Sequence, residues 1–230
     1  MDGNELLERY EATGDEDDFV AAKRLYEEAL SGRPDATTLR DYGYLLYCHG
    51  ARAIAQAAEH YERAIELDPD ADKAHYHLIG AKRALGDADD LIARYEQNLA
   101  ADPENVRWHR LLASACLAAK QHARAAEAVD AGLAFAPGDR VLLGQRGDVK
   151  AALGDADGAL ADWRRSLDPD AHDISGAYSS AFLLEREGRI DEAIEAWQYI
   201  LDYNEARGYE LQAEWPRREL ERLRGQLLTS

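Results

Sequence analysis

Cysteine is nearly missing from this chain: Cys48 and Cys116 are the two in 230 residues. They lie far apart inside apolar helical patterns, so no disulfide framework or CxxC metal knuckle is available, and reduced, mostly buried thiols are expected. Long apolar runs are missing too. The longest, Leu111 to Ala119, is about half of what a bilayer crossing requires. The opening MDGNELLERY has neither the basic start nor the apolar stretch of a secretion signal. A cytoplasmic protein without membrane attachment is expected. Positive charge is in short supply, with 27 Lys and Arg against 45 Asp and Glu, a net charge of −18. Nucleic acid is therefore not expected as a partner, because binding it rests on a basic surface that releases counterions from phosphates.

Signatures of catalysis are also missing. There is no glycine-rich phosphate loop, GxSxG elbow or kinase-type motif set, and no serine or cysteine has a histidine that a repeat geometry would bring near it. The seven histidines, His49, His60, His75, His77, His109, His122 and His172, contain no HExxH pair. His75 and His77 are two apart and point to different sides of a helix. Asp68-Pro-Asp70-Ala-Asp72 begins like a calcium loop, but Lys73 stands where the loop needs glycine and Ile79 where it needs glutamate. These aspartates and Asp155 read as helix caps, and the run Asp15 to Asp18 as negative charge favouring a helix N-terminus. The expectation is a protein that is not an enzyme and carries no metal or other cofactor.

What the chain does have is apolar residues, 46% of the total, and a period. Five of its six prolines fall at 34, 69, 103, 137 and 169, in steps of 35, 34, 34 and 32 residues. Each follows an amphipathic run that ends in a small turn, a place where proline cannot extend the helix. Upstream of the turns lie Ala22, Ala57, Leu91, Ala125, Ala159 and Ala193. Four residues on come Tyr26, Tyr61, Tyr95, Val129, Trp163 and Trp197, and four further Leu30, Ile65, Leu99, Leu133, Leu167 and Leu201. Positions i, i+4 and i+8 trace one side of a helix, so these rows form a core stripe, small where a neighbour approaches and bulky beside it. Gly14, Gly50, Gly86, Gly154 and Gly188 mark a tight turn ahead of each such helix, with Lys120 in the place of glycine once.

The Gly turn, the small and aromatic positions of the second helix and the closing Asp-Pro, as in EGRIDEAIEAWQYIL and AAEHYERAIELDP, resemble the tetratricopeptide repeat. The resemblance covers six units, 3–36, 37–71, 72–105, 106–139, 140–171 and 172–205, with 206–227 left as a capping helix. It implies an all-α fold, a right-handed superhelical solenoid of antiparallel helix pairs forming one domain. Thirteen helices and no sheet are expected, with the last helix starting near Pro216. The units are not uniform. The first has a stretched acidic turn from Gly14 to Asp18, the second has two extra residues between Gly50 and Ala57, and the fifth closes two residues early.

In the family resembled, the first helices line a concave groove that takes extended peptides or a partner's helix. Aligning the units puts Arg40, Tyr44 and Tyr47, then Lys73, Tyr76, His77, Gly80 and Arg83, then Arg107, Arg110 and Ser114 on that side, at steps of three and four. Residues 72–139 hold eight Lys and Arg against ten Asp and Glu, whereas residues 1–36 hold four against eleven. The bases of units 2 to 4 thus gather in first helices, beside tyrosines of the kind enriched in recognition surfaces. The carboxylate-clamp subclass of the family uses Lys, Asn, Asn, Lys and Arg in its groove. Arg40 and Arg107 match its two lysines in position, Tyr44 and His77 replace its asparagines, and Leu111, beside Arg110, replaces its arginine. The expected function is a non-catalytic interaction scaffold whose partner is a protein or peptide, acidic at the contact. An accessory or chaperone subunit of an enzyme and a sensor of a small ligand or peptide signal are the alternatives.

Overall fold

The computed structural model describes residues 2–32, 34–50, 53–168, 170 and 173–227; Pro169 and His172 lie outside these. Among the described residues the chain is all-helical, thirteen α-helices and no strand. They are α1 (Gly3–Thr13), α2 (Glu16–Ser31), α3 (Ala36–His49), α4 (Ile54–Leu67), α5 (Asp72–Leu85), α6 (Asp89–Ala101) and α7 (Val106–Ala118). There follow α8 (His122–Phe135), α9 (Arg140–Ala152), α10 (Ala156–Ser166), α11 (Ser175–Arg186), α12 (Ile190–Ala206) and α13 (Glu210–Leu227). None is long and apolar enough to cross a membrane. The helices fall into two compact units, residues 1–103 with 114–121, and residues 104–113 with 122–230. In the first, α3 packs on α4 and α4 on α5, while α3 also touches α1 and α5; in the second, α9 packs on α10, α11 on α12 and α12 on α13.

The i and i+4 rows are core in both units. Ala22, Ala57, Leu91, Ala125, Ala159 and Ala193 are all fully buried, and Tyr26, Tyr61, Tyr95, Val129, Trp163 and Trp197 are buried beside them. The i+8 row lies nearer the rim: Ile65, Leu133 and Leu201 are buried, Leu30, Leu99 and Leu167 only half so. The rings need a small partner on the facing first helix, which the stripe alone did not predict. A methyl group built on Gly147 would lie 2.5 Å from the Trp163 ring, and one on Gly43 2.8 Å from Tyr61, so both glycines are required by close approach.

Left-handed backbone sets the tight turns, at Gly14, Gly86, Gly154 and Gly188 with φ between 68° and 87°. Lys120 takes the same conformation at φ 58°, and Gly208 repeats it ahead of α13. A residue with a Cβ is disfavoured there by roughly 1–2 kcal/mol. Lys120→Gly is therefore expected to stabilise the chain by about 1 kcal/mol, net of glycine's greater backbone entropy in the unfolded state. A fall in the thermal midpoint on that substitution would contradict it.

Several local expectations are corrected. The acidic turn of the first unit is not stretched: α2 starts at Glu16, and Asp15 caps it by accepting the Asp17 N–H at 2.9 Å. Asp18 is buried in that helix and receives Arg9 of α1 through Nε at 3.0 Å and Nη2 at 2.6 Å. Asp155 caps α10 through the Gly158 N–H, but Asp68 forms a turn by accepting the Asp70 N–H, and α5 has no side-chain cap. Cys116 is buried, whereas Cys48 is exposed. The last helix starts at Glu210, six residues before Pro216, which lies inside it and is buried. Proline has no N–H for the carbonyl four residues back. That carbonyl, on Gln212, instead lies 3.4 Å from the Nδ2 donor of Asn204, a buried residue of α12.

Candidate functional site

In the first unit the first helices carry a ladder of side chains one repeat apart. Glu11 of α1, Tyr44 of α3 and His77 of α5 form one rung: the Tyr44 hydroxyl donates to Glu11, 33 residues away, and the Tyr44 ring centroid is 5.0 Å from that of His77. Tyr61 of α4 backs this rung, its ring stacked on His77 at 5.4 Å. Burial, then the neighbouring Arg40 and Lys73, push the His77 pKa down, and Asp41 and Glu11 only partly oppose them. His77 is thus a neutral ring at pH 7, a flat surface and not a cation. Burial and then the Glu11 hydrogen bond push the Tyr44 hydroxyl pKa up, keeping it a donor.

The next rung pairs Arg40 of α3 with Lys73 of α5. Together with Thr37, Asp68 and Asp72 they line a hollow of about 180 Å³. Their charges are in different states. Arg40 already holds its neighbour Asp41, through Nε at 2.7 Å and Nη2 at 2.6 Å. Lys73 and Arg83 are exposed, and neither side chain has a hydrogen bond or ion pair with a described residue. Between them lies Gly80, with no atom within 4 Å of the place where its Cβ would be. Tyr47 is half-buried on α3 and Tyr76 is 36% exposed on α5. Ser114, half-buried on α7, also belongs to this unit.

Arg107 and Arg110 belong to the second unit. The Arg107 guanidinium lies 4.3 Å from the centroid of the Trp108 ring, a cation–π contact. Arg110 is engaged by Asp139, which receives its Nε at 3.0 Å and an Nη2 bond while also capping α9 through the Leu142 N–H. The counter-ions Asp41 and Asp139 and the acid Glu11 were missed by the sequence reading. Glu11 has a sequence signal, since it stands one repeat ahead of Tyr44. Asp139 had a weaker one, as the residue before a helix start.

Residues 81–140 match the tetratricopeptide repeat family model. Beyond them, the fold is that of a thermophilic tetratricopeptide protein of Thermus thermophilus, with a TM-score of 0.58 and 22% identity over 84% of this chain and 99% of that one. The chain has the tetratricopeptide-repeat fold, and residues 81–140 carry the family's sequence pattern. A tetratricopeptide protein of Parabacteroides merdae is similar over 96% of this chain and 93% of its own, with a TM-score of 0.52 and 14% identity. A wheat (Triticum aestivum) protein, the Hsp70-Hsp90 organizing protein, is 36% identical over 86 residues, which are 35% of this chain and 15% of that protein. Tetratricopeptide proteins are in general non-catalytic scaffolds that bind proteins or peptides.

The tetratricopeptide helices of the second unit carry a different surface. Trp215 of α13 is 43% exposed and Phe182 of α11 47%, with ring centroids 5.5 Å apart. Tyr178 of α11 stacks on Trp215 at 6.0 Å, and the buried Trp197 of α12 meets all three rings from behind at 5.3 to 6.0 Å. The motif reading did not single out this aromatic group, whose members come from three helices.

Proposed function

We propose that this protein is an interaction scaffold that holds an extended acidic peptide segment of a partner on the face of α1, α3 and α5. The observation that carries the reading is the pair Lys73 and Arg83, exposed and without carboxylate partners among the described residues, in a chain with 45 Asp and Glu against 27 Lys and Arg. Acids of the peptide are assigned to these two cations, and its backbone to the open flank of Gly80. Tyr44, Tyr47, Tyr76 and neutral His77 supply flat contact area. Arg40 and Arg110 already hold carboxylates, so they are not assigned the ligand's charge. Ser114 of α7 is assigned to the ligand's continuation, whereas Arg107, in the other unit, is given no part in it. The net charge of −18 repels an acidic segment elsewhere and favours this face as its point of approach.

The test is fluorescence anisotropy with labelled ten-residue peptides, one glutamate-rich and one lysine-rich, against wild type and Lys73→Glu/Arg83→Glu. A sheltered charge-assisted bond contributes about 1.5–3 kcal/mol, so the double variant is expected to bind the acidic peptide at least about tenfold more weakly, with unchanged helicity. Wild-type binding is expected to weaken with salt. Equal affinity of wild type and variant, or preference for the basic peptide, would remove the reading. Arg110→Glu is expected to lower stability more than binding, because it sets a carboxylate against Asp139.

A second reading, the accessory or chaperone subunit, is favoured by the apolar surface on α13. Leu211 and Trp215 are 63% and 43% exposed there, with Phe182 at 47% beside them, a cluster of the kind that marks protein contacts. It requires that Trp215→Ser, and not the Lys73/Arg83 double variant, release the partner.

A further inference from the structure

In the second unit, α10, α11 and α12 surround a cavity of about 430 Å³ open to solvent. Its origin is missing side-chain volume. Ala177, Ser180 and Ala196 leave room among Leu160, Leu167 and Leu184, all six lining the space. At 11 residues, α10 is also the shortest of the second helices, the others having 13 to 17. The cavity is at the small end of the range that takes small molecules.

Its charged groups are opposite in sign. Arg164, from the last turn of α10, and Glu195, from α12, both line it. Neither side chain has a hydrogen bond or ion pair with a described residue. Glu192 is there as well, but Arg189 holds it through Nε and Nη2, each at 2.7 Å. This makes Arg164 unusual among its neighbours: Arg140, Arg146, Lys150, Arg165 and Arg186 each have a carboxylate within 3.7 Å. The cavity therefore joins a wall of leucine and alanine side chains, with Tyr199 and Ser180 beside them, to one uncommitted cation and one uncommitted anion, the complement of a small molecule that has an aliphatic body and both charges.

We propose that this cavity binds a short aliphatic zwitterion, with its carboxylate on Arg164, its ammonium on Glu195 and its side chain against the leucines. A free aliphatic amino acid and a short aliphatic peptide share that chemistry. The site is separate from the face of α1, α3 and α5, so failure of either leaves the other standing.

Isothermal titration calorimetry of the full chain with L-leucine, Leu-Leu, N-acetyl-L-leucine and L-leucinamide tests it. Saturable binding of L-leucine or Leu-Leu is expected, the tighter of the two identifying the source. Each singly charged compound is expected to bind at least about tenfold more weakly than that ligand. Arg164→Gln, at an exposed position, should cost about the same factor, and Ala196→Phe should fill the cavity and abolish binding, with far-UV circular dichroism unchanged for both. The proposal is overturned if neither zwitterion saturates below about 10 mM, if the blocked compounds bind as well as the zwitterions, or if Arg164→Gln binds like wild type.

Discussion

Replacing Trp197 with alanine is expected to cost about 3–5 kcal/mol of stability, the range for emptying a buried tryptophan site. The ring is fully buried in a core with Ala181, Leu184, Ala193, Ile200, Leu220 and Leu223, so α11, α12 and α13 all lose contacts at once. Relaxation into the hole is limited, because Tyr178, Phe182 and Trp215 rest on the same indole and lose their common support. The lost hydrogen bond matters less. The indole N–H donates to Glu185 at 2.6 Å, and Glu185 keeps Arg222 when the indole is gone. In a repeat array the damage is confined to near neighbours. Hydrogen exchange should therefore accelerate in α11 to α13 while α3 to α5 keep their protection, and the midpoint of urea unfolding followed by circular dichroism should fall for the second unit. An unchanged midpoint would show that the ring is not a core element.

Asp162→Asn is expected to cost about 3 kcal/mol at neutral pH, the low end for breaking a buried ion pair. Asp162 is 2% exposed and receives Arg146 through Nε at 2.8 Å and Nη2 at 2.6 Å, and Lys150 through Nζ at 2.7 Å. The amide keeps the shape but leaves Arg146, Lys150 and, at 3.7 Å, Arg165 without their acid. All three cations reach solvent, with side chains 27%, 33% and 57% exposed, which limits the loss. Burial alone would raise the Asp162 pKa, and the bonds from Arg146 and Lys150 outweigh it, so the carboxyl is held below its ordinary 3.8. The unfolded chain therefore takes up the proton first as pH falls. The contribution of Asp162 is complete above that ordinary value and disappears as pH drops through the lower native one. Wild type and variant should thus differ by a constant amount at neutral pH and converge in acid. A gap that stays open in strong acid would place the loss in packing and not in charge.

The helices and their buried stripe were legible in the sequence because they depend on periodicity, and a residue like Ala57 or Trp197 reports its burial through its interval to the next. Ion pairs were not. Arg110 reaches Asp139 across 29 residues, and Arg9 reaches Asp18 across nine, through side chains whose rotamers no interval fixes. The basic strip read from α3, α5 and α7 is consequently uneven, with Arg40 and Arg110 committed to acids while Lys73 and Arg83 are not. The cavity beside Arg164 was also out of reach. It depends on volume that three small side chains on two helices fail to fill, and each of them alone looks like an ordinary helix residue. Pro216 misled for a related reason, since a good first-turn residue is tolerated in mid-helix where another helix meets the freed carbonyl.

That last contact bears on the order in which the chain assembles. The first six residues of α13 precede a proline that, in an isolated peptide, would penalise the helix by about 3 kcal/mol and leave the Gln212 carbonyl to water. Against α12 the carbonyl meets Asn204, so the template must exist before α13 can close over it. During synthesis this helix is also the last of the thirteen to leave the ribosome. α13 thus closes only after the α12 surface beneath it has formed, and until then Leu220 and Leu223 stay exposed as the adhesive that draws it down.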